Sequence, residues 1–264
     1  MDLQLQNKTA FISGSTAGIG FAIAKRLATE GTTVIINGRT TEAVDKAVKE
    51  LRSVTNNNNV SGIAADFYKV DEINKLLGQL PSVDILINNA GIFEPKPFAE
   101  IPDEDWFRFF DINVMSGVRL SRYLFPKMLK KNWGRIIFIS SESAISIPEE
   151  MVHYGMTKTA QLAIGRGMAE LTKGTGVTVN SILPGPTRSR GIADYITDMA
   201  AAGNVTTEET EKQFFKDIRP NSLLQRFASV EEIADAVAFY VSPLASATNG
   251  AAIRVEGGIL KSII

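Results

Sequence analysis

Short apolar runs alternate with longer segments of helical periodicity along the whole chain. Seven runs are mostly apolar without strict alternation, which is typical of strands buried on both faces of a sheet. They span residues 9–13, 33–37, 60–65, 83–88, 135–140, 177–183 and 251–255. Helical patterns lie between them at residues 19–27, 41–51, 71–80, 102–131, 153–172 and 230–241. Because strands that alternate with helices form crossovers around a parallel sheet, we predict a doubly wound α/β fold of about seven strands, with helices on both faces.

One connection is longer than the others. Residues 188–224 separate the sixth strand from the last predicted helix, and they carry apolar side chains such as Ile192, Tyr195 and Phe214 at loose helical spacing. Two interpretations remain open: a helical hairpin that packs on the core, or a lid over a substrate, which the position after the carboxyl end of a strand favours. No other stretch resembles a linker, so we predict one domain over 1–264 that contains this lid insertion.

The composition excludes several kinds of chemistry. The chain has no cysteine and a single histidine, His153, so disulfides and thiolate nucleophiles are excluded, and we expect no metal site. With 28 basic and 29 acidic residues the net charge is -1, which favours neither nucleic acid nor an anionic membrane as the partner. The chain starts without a signal-peptide pattern and has no apolar stretch of the roughly 20 residues that a membrane span needs, so we expect a cytoplasmic protein.

A glycine-rich turn follows the first predicted strand. Residues 13–20 read Ser-Gly-Ser-Thr-Ala-Gly-Ile-Gly, with Gly14, Gly18 and Gly20 opening the first helix. Glycines at this spacing permit a tight turn and let the backbone approach a pyrophosphate, while the helix N-terminus offers free N–H groups. A strand before the turn and a helix after it are the context that this motif requires. We therefore predict a dinucleotide-binding site.

The end of the second strand indicates which dinucleotide binds. NAD-binding proteins carry an acidic residue there that hydrogen-bonds the adenosine ribose. This chain has Asn37-Gly38-Arg39-Thr40, with an arginine and no carboxylate. Arg39 is suited to pair with a 2′-phosphate, so we predict NADP(H) in preference to NAD(H). A solvated surface arginine is the competing interpretation.

A Tyr-x-x-x-Lys pattern follows the fifth strand. Tyr154 and Lys158 are four residues apart on a predicted helix and therefore share one face. An ammonium beside a phenol favours the phenolate, so we expect Lys158 to lower the pKa of Tyr154 from about 10 towards a value useful for acid–base catalysis. By itself the pattern is common, and it usually marks no more than a surface pair.

Together these segments resemble the short-chain dehydrogenase/reductase family, in its single-domain branch and near its 3-oxoacyl-thioester reductase-like carbonyl reductases. The resemblance runs from Lys8 to about Gly258, and it includes the thirteen-residue spacing between Ser141 and Tyr154. It implies a Rossmann fold and hydride transfer between a nicotinamide and a carbonyl or alcohol carbon. The matching segments are the turn at 13–20, Asn88-Asn89-Ala90-Gly91, Asn113, Ser141, Tyr154, Lys158, Pro184-Gly185 and Val255-Glu256-Gly257-Gly258.

The resemblance implies a role for each matching residue. Tyr154 would be the general acid in reduction and the base in oxidation, and Lys158 would hold the nicotinamide ribose. Ser141 would hydrogen-bond the substrate oxygen, and Asn113 would hold a water that links Lys158 to solvent. The family usually has threonine where this chain has Ser13, which keeps the hydroxyl. The residues implied around the cofactor are Gly14, Ser15, Thr16, Gly18, Ile19, Gly20, Arg39, Asp66, Phe67, Asn88, Ala90, Gly91, Tyr154, Lys158, Pro184, Gly185, Thr187 and Ser189.

Neighbours of this set are assigned structural roles. Spacing favours Ser141 over Ser140, which ends the strand. His153 points about 100° away from Tyr154 around the helix, so we interpret it as a structural or pocket-rim residue. Glu142 could face the pocket, but we interpret it as an exposed loop acid. Four aromatic residues are assigned to the helix core or an interface: Trp106, Phe107, Phe109 and Phe110.

The substrate is predicted to be a ketone, a keto ester or a β-ketoacyl thioester with an apolar body. Alternatives are an NAD(H)-dependent alcohol or polyol dehydrogenase, a lyase or epimerase on the same fold, and a non-catalytic dinucleotide sensor. Small residues along the Tyr154 helix, together with the resemblance, indicate a homodimer or homotetramer. The residues expected to line the substrate pocket are Phe93, Glu94, Ile147, Val152, Tyr195 and Met199.

Overall fold

A computed structural model describes residues 1–263 and has a seven-stranded parallel sheet. The strand order is β3-β2-β1-β4-β5-β6-β7, and every neighbouring pair is parallel. The predicted doubly wound fold is therefore confirmed, and the strand ends differ from the prediction by one or two residues. The strands are β1 Thr9–Ile12, β2 Thr33–Gly38, β3 Val60–Ala64, β4 Ile85–Asn88, β5 Gly134–Ile139, β6 Val177–Pro184 and β7 Ala252–Val255.

Nine α-helices of the described residues lie on and around the sheet. They are α1 Gly18–Thr29, α2 Thr41–Thr55, α3 Val70–Gln79, α4 Asp103–Phe110, α5 Ser116–Lys131, α6 Val152–Glu170, α7 Arg190–Gly203, α8 Thr207–Asp217 and α9 Val230–Tyr240. Ser229 begins α9 with a capping box: its hydroxyl accepts from the Glu232 N–H, and Glu232 accepts from the Ser229 N–H.

The predicted helix over 102–131 is wrong in one respect. A turn of π-helix, Asp111–Met115, separates α4 from α5. A π turn adds one residue without ending the helical pattern of apolar positions, so periodicity does not reveal it. Such turns are frequent at functional sites, and this one carries Asn113.

Both faces of the sheet are covered by apolar side chains. In β1, Ala10 and Ile12 belong to the core that lies under α1 and α9, whereas Phe11 belongs to the core on the opposite face. All three are fully buried, and burying a side chain such as Phe11 stabilises the fold by about 1.5–3 kcal/mol. Burial on both faces explains why the strands are apolar without alternation.

The order in which strands are added to the sheet reverses between β1 and β4: β2 and β3 follow on one side of β1, and β4 to β7 follow on the other. β1 pairs with β2 on one side and with β4 on the other, with Phe11 opposite both Ile35 and Leu86. In open parallel sheets, ligands bind in the crevice at the carboxyl ends of the strands where the order reverses. The glycine turn after β1 and the loop after β4 border this crevice.

The segment 188–224 contains α7 and α8 rather than an unstructured loop. Ile196, Phe214, Phe215 and Phe227 form a small apolar core of their own. The segment follows the carboxyl end of β6, and its side chains therefore reach the edge of the sheet where the crevice lies. Its action as a lid within one domain stays a prediction.

Asn37 connects three strands at this edge. Its side-chain oxygen accepts from the Gly14 N–H at 3.1 Å, and its side-chain nitrogen donates to the carbonyls of Ile63 at 3.0 Å and Ala65 at 3.2 Å. Asn37 is buried, so each group left without a partner costs about 1–3 kcal/mol.

We expect Asn37→Ala to lower the free energy of unfolding by about 3 kcal/mol, because it removes all of these bonds at a buried position. Urea denaturation followed by circular dichroism measures the loss. Asn58→Ala is the matched control, since Asn58 is exposed in the loop before β3, and it should change stability by less than about 0.5 kcal/mol. Equal effects of the two variants would contradict the connecting role of Asn37.

Candidate active site

The turn after β1 lies unusually close to the loop after β4. Gly14 has a φ of +59°, and a Cβ at this residue would lie 2.9 Å from the Cα of Ala90. The Ser13 hydroxyl accepts from the N–H groups of Asn89 at 2.9 Å and Ala90 at 3.0 Å. The hydroxyl at position 13 therefore holds the two loops together, and only glycine fits at position 14.

The start of α1 is open to the crevice. Gly18 has a φ of +58°, and the residue before it, Ala17, offers no side-chain cap for the first helical N–H groups. A Cβ at Gly18 would lie 3.6 Å from the Cβ of Ser189, which brings the start of α7 to the same place. Uncapped N–H groups, close backbone and a hydroxyl fit the pyrophosphate of a dinucleotide.

Several side chains expected at the cofactor instead hold the protein together. Ser15 is buried, and its hydroxyl donates to the Ile12 carbonyl at 2.6 Å and accepts from the Asn37 N–H at 3.0 Å. Asn88 donates to the Ser121 hydroxyl at 3.1 Å. Ser15 and Asn88 can therefore contribute to a cofactor site only through their main chain or by shaping it.

The resemblance implies that Asp66 and Phe67 flank the adenine of the cofactor, but the structure places the Phe67 side chain elsewhere. Its side chain is 5% exposed and packs in the core under β1 and β3, because the residue after Asp66 turns towards α3. Asp66 is half-buried and its carboxylate accepts from the Tyr68 N–H at 3.0 Å. Asp66 alone offers a side chain at this end, and the Phe67 ring does not.

Arg39 lies at the carboxyl end of β2, directly before α2. Its side chain is exposed, and within residues 1–263 it takes part in no hydrogen bond or ion pair. A guanidinium without a protein partner is free to receive a phosphate.

Lys158 is buried on α6 and faces the end of β5. Its ammonium donates to the Ile139 carbonyl at 2.9 Å and lies 3.4 Å from the Gln161 side-chain oxygen. Burial lowers the pKa of Lys158 to about 8. A Cβ at Gly91 would lie 3.5 Å from this ammonium and 3.4 Å from the Asn113 side-chain oxygen, so the loop after β4 lies within van der Waals distance of both groups.

Asn113 is held by the same loop. Its side-chain oxygen accepts from the Ile92 N–H at 2.8 Å, and its side-chain nitrogen donates to the Ile92 carbonyl at 3.0 Å and the Thr157 hydroxyl at 3.0 Å. The Asn113 main-chain carbonyl accepts from Gln161 at 2.5 Å. Asn113 thus ties the π turn to α6 on the same side as Lys158, and its water-holding role stays a prediction.

Tyr154 faces the pocket one helical turn before Lys158. Its ring lies edge-on to Phe93 with 6.4 Å between the centroids, and the Lys158 ammonium is 5.5 Å from the Tyr154 ring centroid. Burial and the nearby Glu142 carboxylate raise the pKa of Tyr154, whereas the neighbouring Ser141 side chain acts in the opposite direction. The expectation that Lys158 lowers this pKa is therefore wrong for the protein alone, since the ammonium is directed to the Ile139 carbonyl.

The two serines after β5 have different partners. The Ser140 hydroxyl donates to the Lys158 main-chain carbonyl at 2.9 Å and so faces α6. The Ser141 hydroxyl donates to the Glu142 carboxylate at 2.5 Å and accepts from the Ser143 N–H at 3.1 Å. Of the two, Ser141 presents its hydroxyl next to Glu142 at the pocket wall.

Glu142 is not the exposed acid that its loop position indicated. It is 5% exposed and pairs with Arg219, with 3.4 Å between Oε1 and Nε. The short 3₁₀ turn Glu142–Ala144 is tied to α6 because the Thr159 hydroxyl donates to the Ala144 carbonyl at 2.8 Å. This contact turns the carboxylate inwards, and no local sequence signal reveals it.

His153 is a core residue rather than part of the pocket rim. It is fully buried, and its ring centroid lies 4.0 Å from that of Phe109 and 6.0 Å from that of Trp106. Burial lowers the pKa of His153, and within the described residues neither ring nitrogen has a hydrogen-bond partner. Phe107, by contrast, is 73% exposed on α4.

The crevice opens into a pocket of about 640 Å³. Phe93 and Tyr195 line it as expected, whereas Glu94, Ile147, Val152 and Met199 do not; Glu94 pairs instead with Arg108 at 3.0 Å. The residues that replace them come from the predicted lid segment 188–224 and from the loop after β5, whose residues reach the pocket through tertiary packing. They are Glu142, Glu149, Glu150, Met151, Ile192, Phe214, Asp217, Ile218 and Arg219.

The loop after β6 closes the pocket on the cofactor side. Pro184, Gly185, Thr187 and Ser189 line it together with Ile19 and Gly91. The Thr187 hydroxyl donates to the Gly185 carbonyl at 2.8 Å, and a Cβ at Gly185 would lie 2.6 Å from the Glu256 carbonyl oxygen. The pocket and the glycine turn are therefore continuous.

A parallel sheet with a glycine turn at its switch point, and a Ser-Tyr-Lys set beside it, define a dinucleotide-dependent oxidoreductase. The model of the short chain dehydrogenase family matches residues 8–200, and the chain belongs to this family. Its enzymes oxidise CH–OH groups or reduce C=O groups with a nicotinamide dinucleotide. Within the described residues, no helix is both long and apolar enough to cross a membrane.

Individual relatives resemble the chain over its full length. The uncharacterized oxidoreductase YvaG of Bacillus subtilis is 48% identical over 263 residues and covers 100% of both chains. The 3-oxoacyl-[acyl-carrier-protein] reductase FabG of Aquifex aeolicus is 36% identical, over 98% of this chain and 100% of its own. The structure of L-sorbose reductase from Gluconobacter frateurii, complexed with NADPH and L-sorbose, matches with a TM-score of 0.93 at 28% identity over 100% of both chains.

The lowered pKa of Lys158 predicts how stability varies with pH. Unfolded lysine titrates near 10.5, so between about pH 8 and 10.5 the unfolded chain holds a proton that the native lysine has lost. Raising the pH through this window therefore stabilises the native state, by at most about 1.4 kcal/mol per pH unit.

We expect the free energy of unfolding of the wild type to rise relative to that of Lys158→Met by about 2 kcal/mol from pH 8 to pH 10. Urea titrations of the cofactor-free proteins at several pH values measure the difference. Lys130→Met is the control, since Lys130 is half-exposed near the end of α5, and its curve should stay parallel to that of the wild type. A constant difference between wild type and Lys158→Met would contradict a lowered pKa.

Proposed function

We propose that this chain is an NADP(H)-dependent reductase that converts a ketone, keto ester or β-ketoacyl carbonyl to an alcohol. The observation that carries the proposal is that Ser141, Tyr154 and Lys158 line one pocket that continues into the glycine turn, with Asn113 near Lys158 at Gly91. The NADPH in the L-sorbose reductase structure supports the choice of cofactor class.

The residues of the pocket are suited to protonate a carbonyl oxygen. The bound nicotinamide supplies the hydride to the carbonyl carbon. Tyr154 donates a proton to the oxygen, because its phenol, whose pKa burial raises, is protonated at neutral pH as a general acid must be. Ser141 hydrogen-bonds the same oxygen as negative charge develops. Lys158, which the Ile139 carbonyl holds one helical turn from Tyr154, would hold the hydroxyls of the nicotinamide ribose.

Arg39 supports the preference for a 2′-phosphate. It is exposed at the end of β2, where no carboxylate stands to repel a phosphate or to bind the ribose. The same place in an NAD-dependent enzyme holds an acidic residue. Because this chain lacks that acidic residue, an NAD(H)-dependent dehydrogenase of an alcohol or polyol is only the second candidate.

An assembly of two or four copies is part of the proposal. Phe98 lies before α4 and Phe107 lies in its second half, and their side chains are 64% and 73% exposed. Aromatic side chains exposed in a group are typical of an interface. They support an interface that includes α4.

We expect Arg39→Ala to lower kcat/KM for NADPH by about 10- to 100-fold and to leave kcat/KM for NADH within about 3-fold, because a charged hydrogen bond to the phosphate is lost. Initial rates followed through the absorbance of the reduced nicotinamide measure both. Arg122→Ala, at an exposed position on α5, is the control and should keep the NADPH value. A wild-type enzyme that uses NADH better than NADPH would overturn the cofactor preference.

We expect Tyr154→Phe to lower kcat by about 100-fold or more, because the ring remains and the proton donor is removed. NADPH binding, measured by fluorescence titration, should stay within about 3-fold of the wild type. Tyr240→Phe is the matched control, since Tyr240 packs on the core at α9 and does not line the pocket. Full activity of Tyr154→Phe would remove this tyrosine from the reaction.

A further inference from the structure

A carboxylate lies buried in the wall of the substrate pocket, next to the serine of the proposed mechanism. Glu142 lines the pocket, and its position is held by the 3₁₀ turn that Thr159 ties to α6. A carboxylate is costly to bury unless its acceptor sites are filled. Its effect on the pKa of Tyr154 is a separate sign that it lies close to the reacting atoms.

The protein leaves part of this carboxylate without hydrogen-bond donors. Among the described residues, its single hydrogen bond comes from Ser141, at 2.5 Å to Oε2. Arg219 lies 3.4 Å from Oε1, which is an ion pair but longer than a usual N–H···O bond. An ionised carboxylate has about four acceptor sites, so several remain for a ligand in the pocket.

The charge of Glu142 is largely offset, which favours a neutral donor over a cation. Arg219 is 15% exposed in its side chain and lies between Glu142 and Glu150, whose Oε1 is 3.7 Å from Nη1 of Arg219. A guanidinium this close reduces the field that would attract an ammonium group. A ligand hydroxyl carries no charge and needs only a free acceptor site on the carboxylate.

Ser141 has one hydroxyl proton, so it cannot donate a hydrogen bond to Glu142 and to a substrate carbonyl at the same time. Its hydroxyl proton is donated to Glu142, and its oxygen accepts from the Ser143 N–H at 3.1 Å. To bind a carbonyl oxygen, which only accepts, the Ser141 hydroxyl must turn away from Glu142. The buried carboxylate then loses its donor, which is unfavourable unless the substrate replaces it.

We propose that Glu142 is a substrate-recognition residue, which accepts a hydrogen bond from a hydroxyl on the carbon next to the reacting carbonyl, so that α-hydroxy ketones are the preferred substrates. This inference rests on the proposed reductase function and names its substrate class. Reduction adds the hydride of NADPH to the carbonyl carbon and the proton of Tyr154 to its oxygen. The neighbouring hydroxyl is unchanged, and the product is a vicinal diol.

Three matched ketones test this geometry: hydroxymethyl phenyl ketone, ethyl phenyl ketone and methoxymethyl phenyl ketone. The ethyl compound replaces the hydroxyl by a methyl group of similar size. The methoxy compound keeps the electron-withdrawing oxygen, and so the reactivity of the carbonyl, but cannot donate a hydrogen bond. We expect the wild type to prefer the hydroxy ketone over both by about 10- to 100-fold in kcat/KM with NADPH.

Glu142→Gln should reduce this preference to within about 3-fold, because the neutral amide is a weaker acceptor of the substrate hydroxyl. Glu104→Gln is the matched control, since it also removes a carboxylate, is exposed on α4 outside the pocket and should keep the preference. A binding measurement accompanies the rates: calorimetry of the NADPH complex with the diol and with the simple alcohol that the first two ketones would yield. These mixtures do not react, and the wild type should bind the diol more tightly, whereas Glu142→Gln should not.

The outcomes separate this inference from the proposed function. Turnover of all three ketones at similar kcat/KM, with equal binding of diol and alcohol, would overturn the role of Glu142 and leave the reductase intact. Tighter binding of the diol without turnover of any ketone would support recognition by Glu142 and count against the reductase. A preference that survives in Glu142→Gln, or no measurable binding of the diol by the wild type, would also overturn the role of Glu142.

Discussion

The close approach of two loops at the carboxyl ends of β1 and β4 is the constraint on which the site depends. Ser13 holds the second loop by two N–H groups, and Gly14 leaves the space that a Cβ would fill against Ala90. Because β1 and β4 are neighbours in a parallel sheet, both loops lie at one edge, where the start of α1 faces the crevice. The loop after β4 in turn reaches Asn113 and Lys158, so the proposed cofactor and catalytic regions share one support.

Burial shifts the pKa values of Lys158 and Tyr154, which lie next to these loops. Lys158 is held against the Ile139 carbonyl with a pKa lowered to about 8, whereas the pKa of Tyr154 is raised by burial and by Glu142. Reduction requires a protonated phenol, and a tyrosine of ordinary or raised pKa is protonated at neutral pH. The same carboxylate accepts a hydrogen bond from the Ser141 hydroxyl, so one buried acid acts on both Tyr154 and Ser141.

The fold could be predicted from the sequence because its signals are local or periodic. Apolar strands identify a sheet buried on both faces, and the glycine turn specifies backbone that any other residue would strain. The predictions failed where contacts between residues distant in the chain determine the position of a side chain. Phe67 packs in the core instead of facing a cofactor, Glu142 turns inwards because Thr159 holds its turn, and the π turn at Asn113 leaves the helical pattern unbroken.

The sequence by itself determined the sheet, the glycine turn and the spacing that brings Tyr154 and Lys158 to one helical face. These follow from backbone sterics and from periods of two and 3.6 residues, which act within a few residues of chain. Only the tertiary structure decided which side chains line the pocket, that Ser141 donates a hydrogen bond to Glu142, and which pKa values shift. Those properties depend on burial and on partners such as Arg219, which lies 77 residues from Glu142 in the chain and 3.4 Å from it in space.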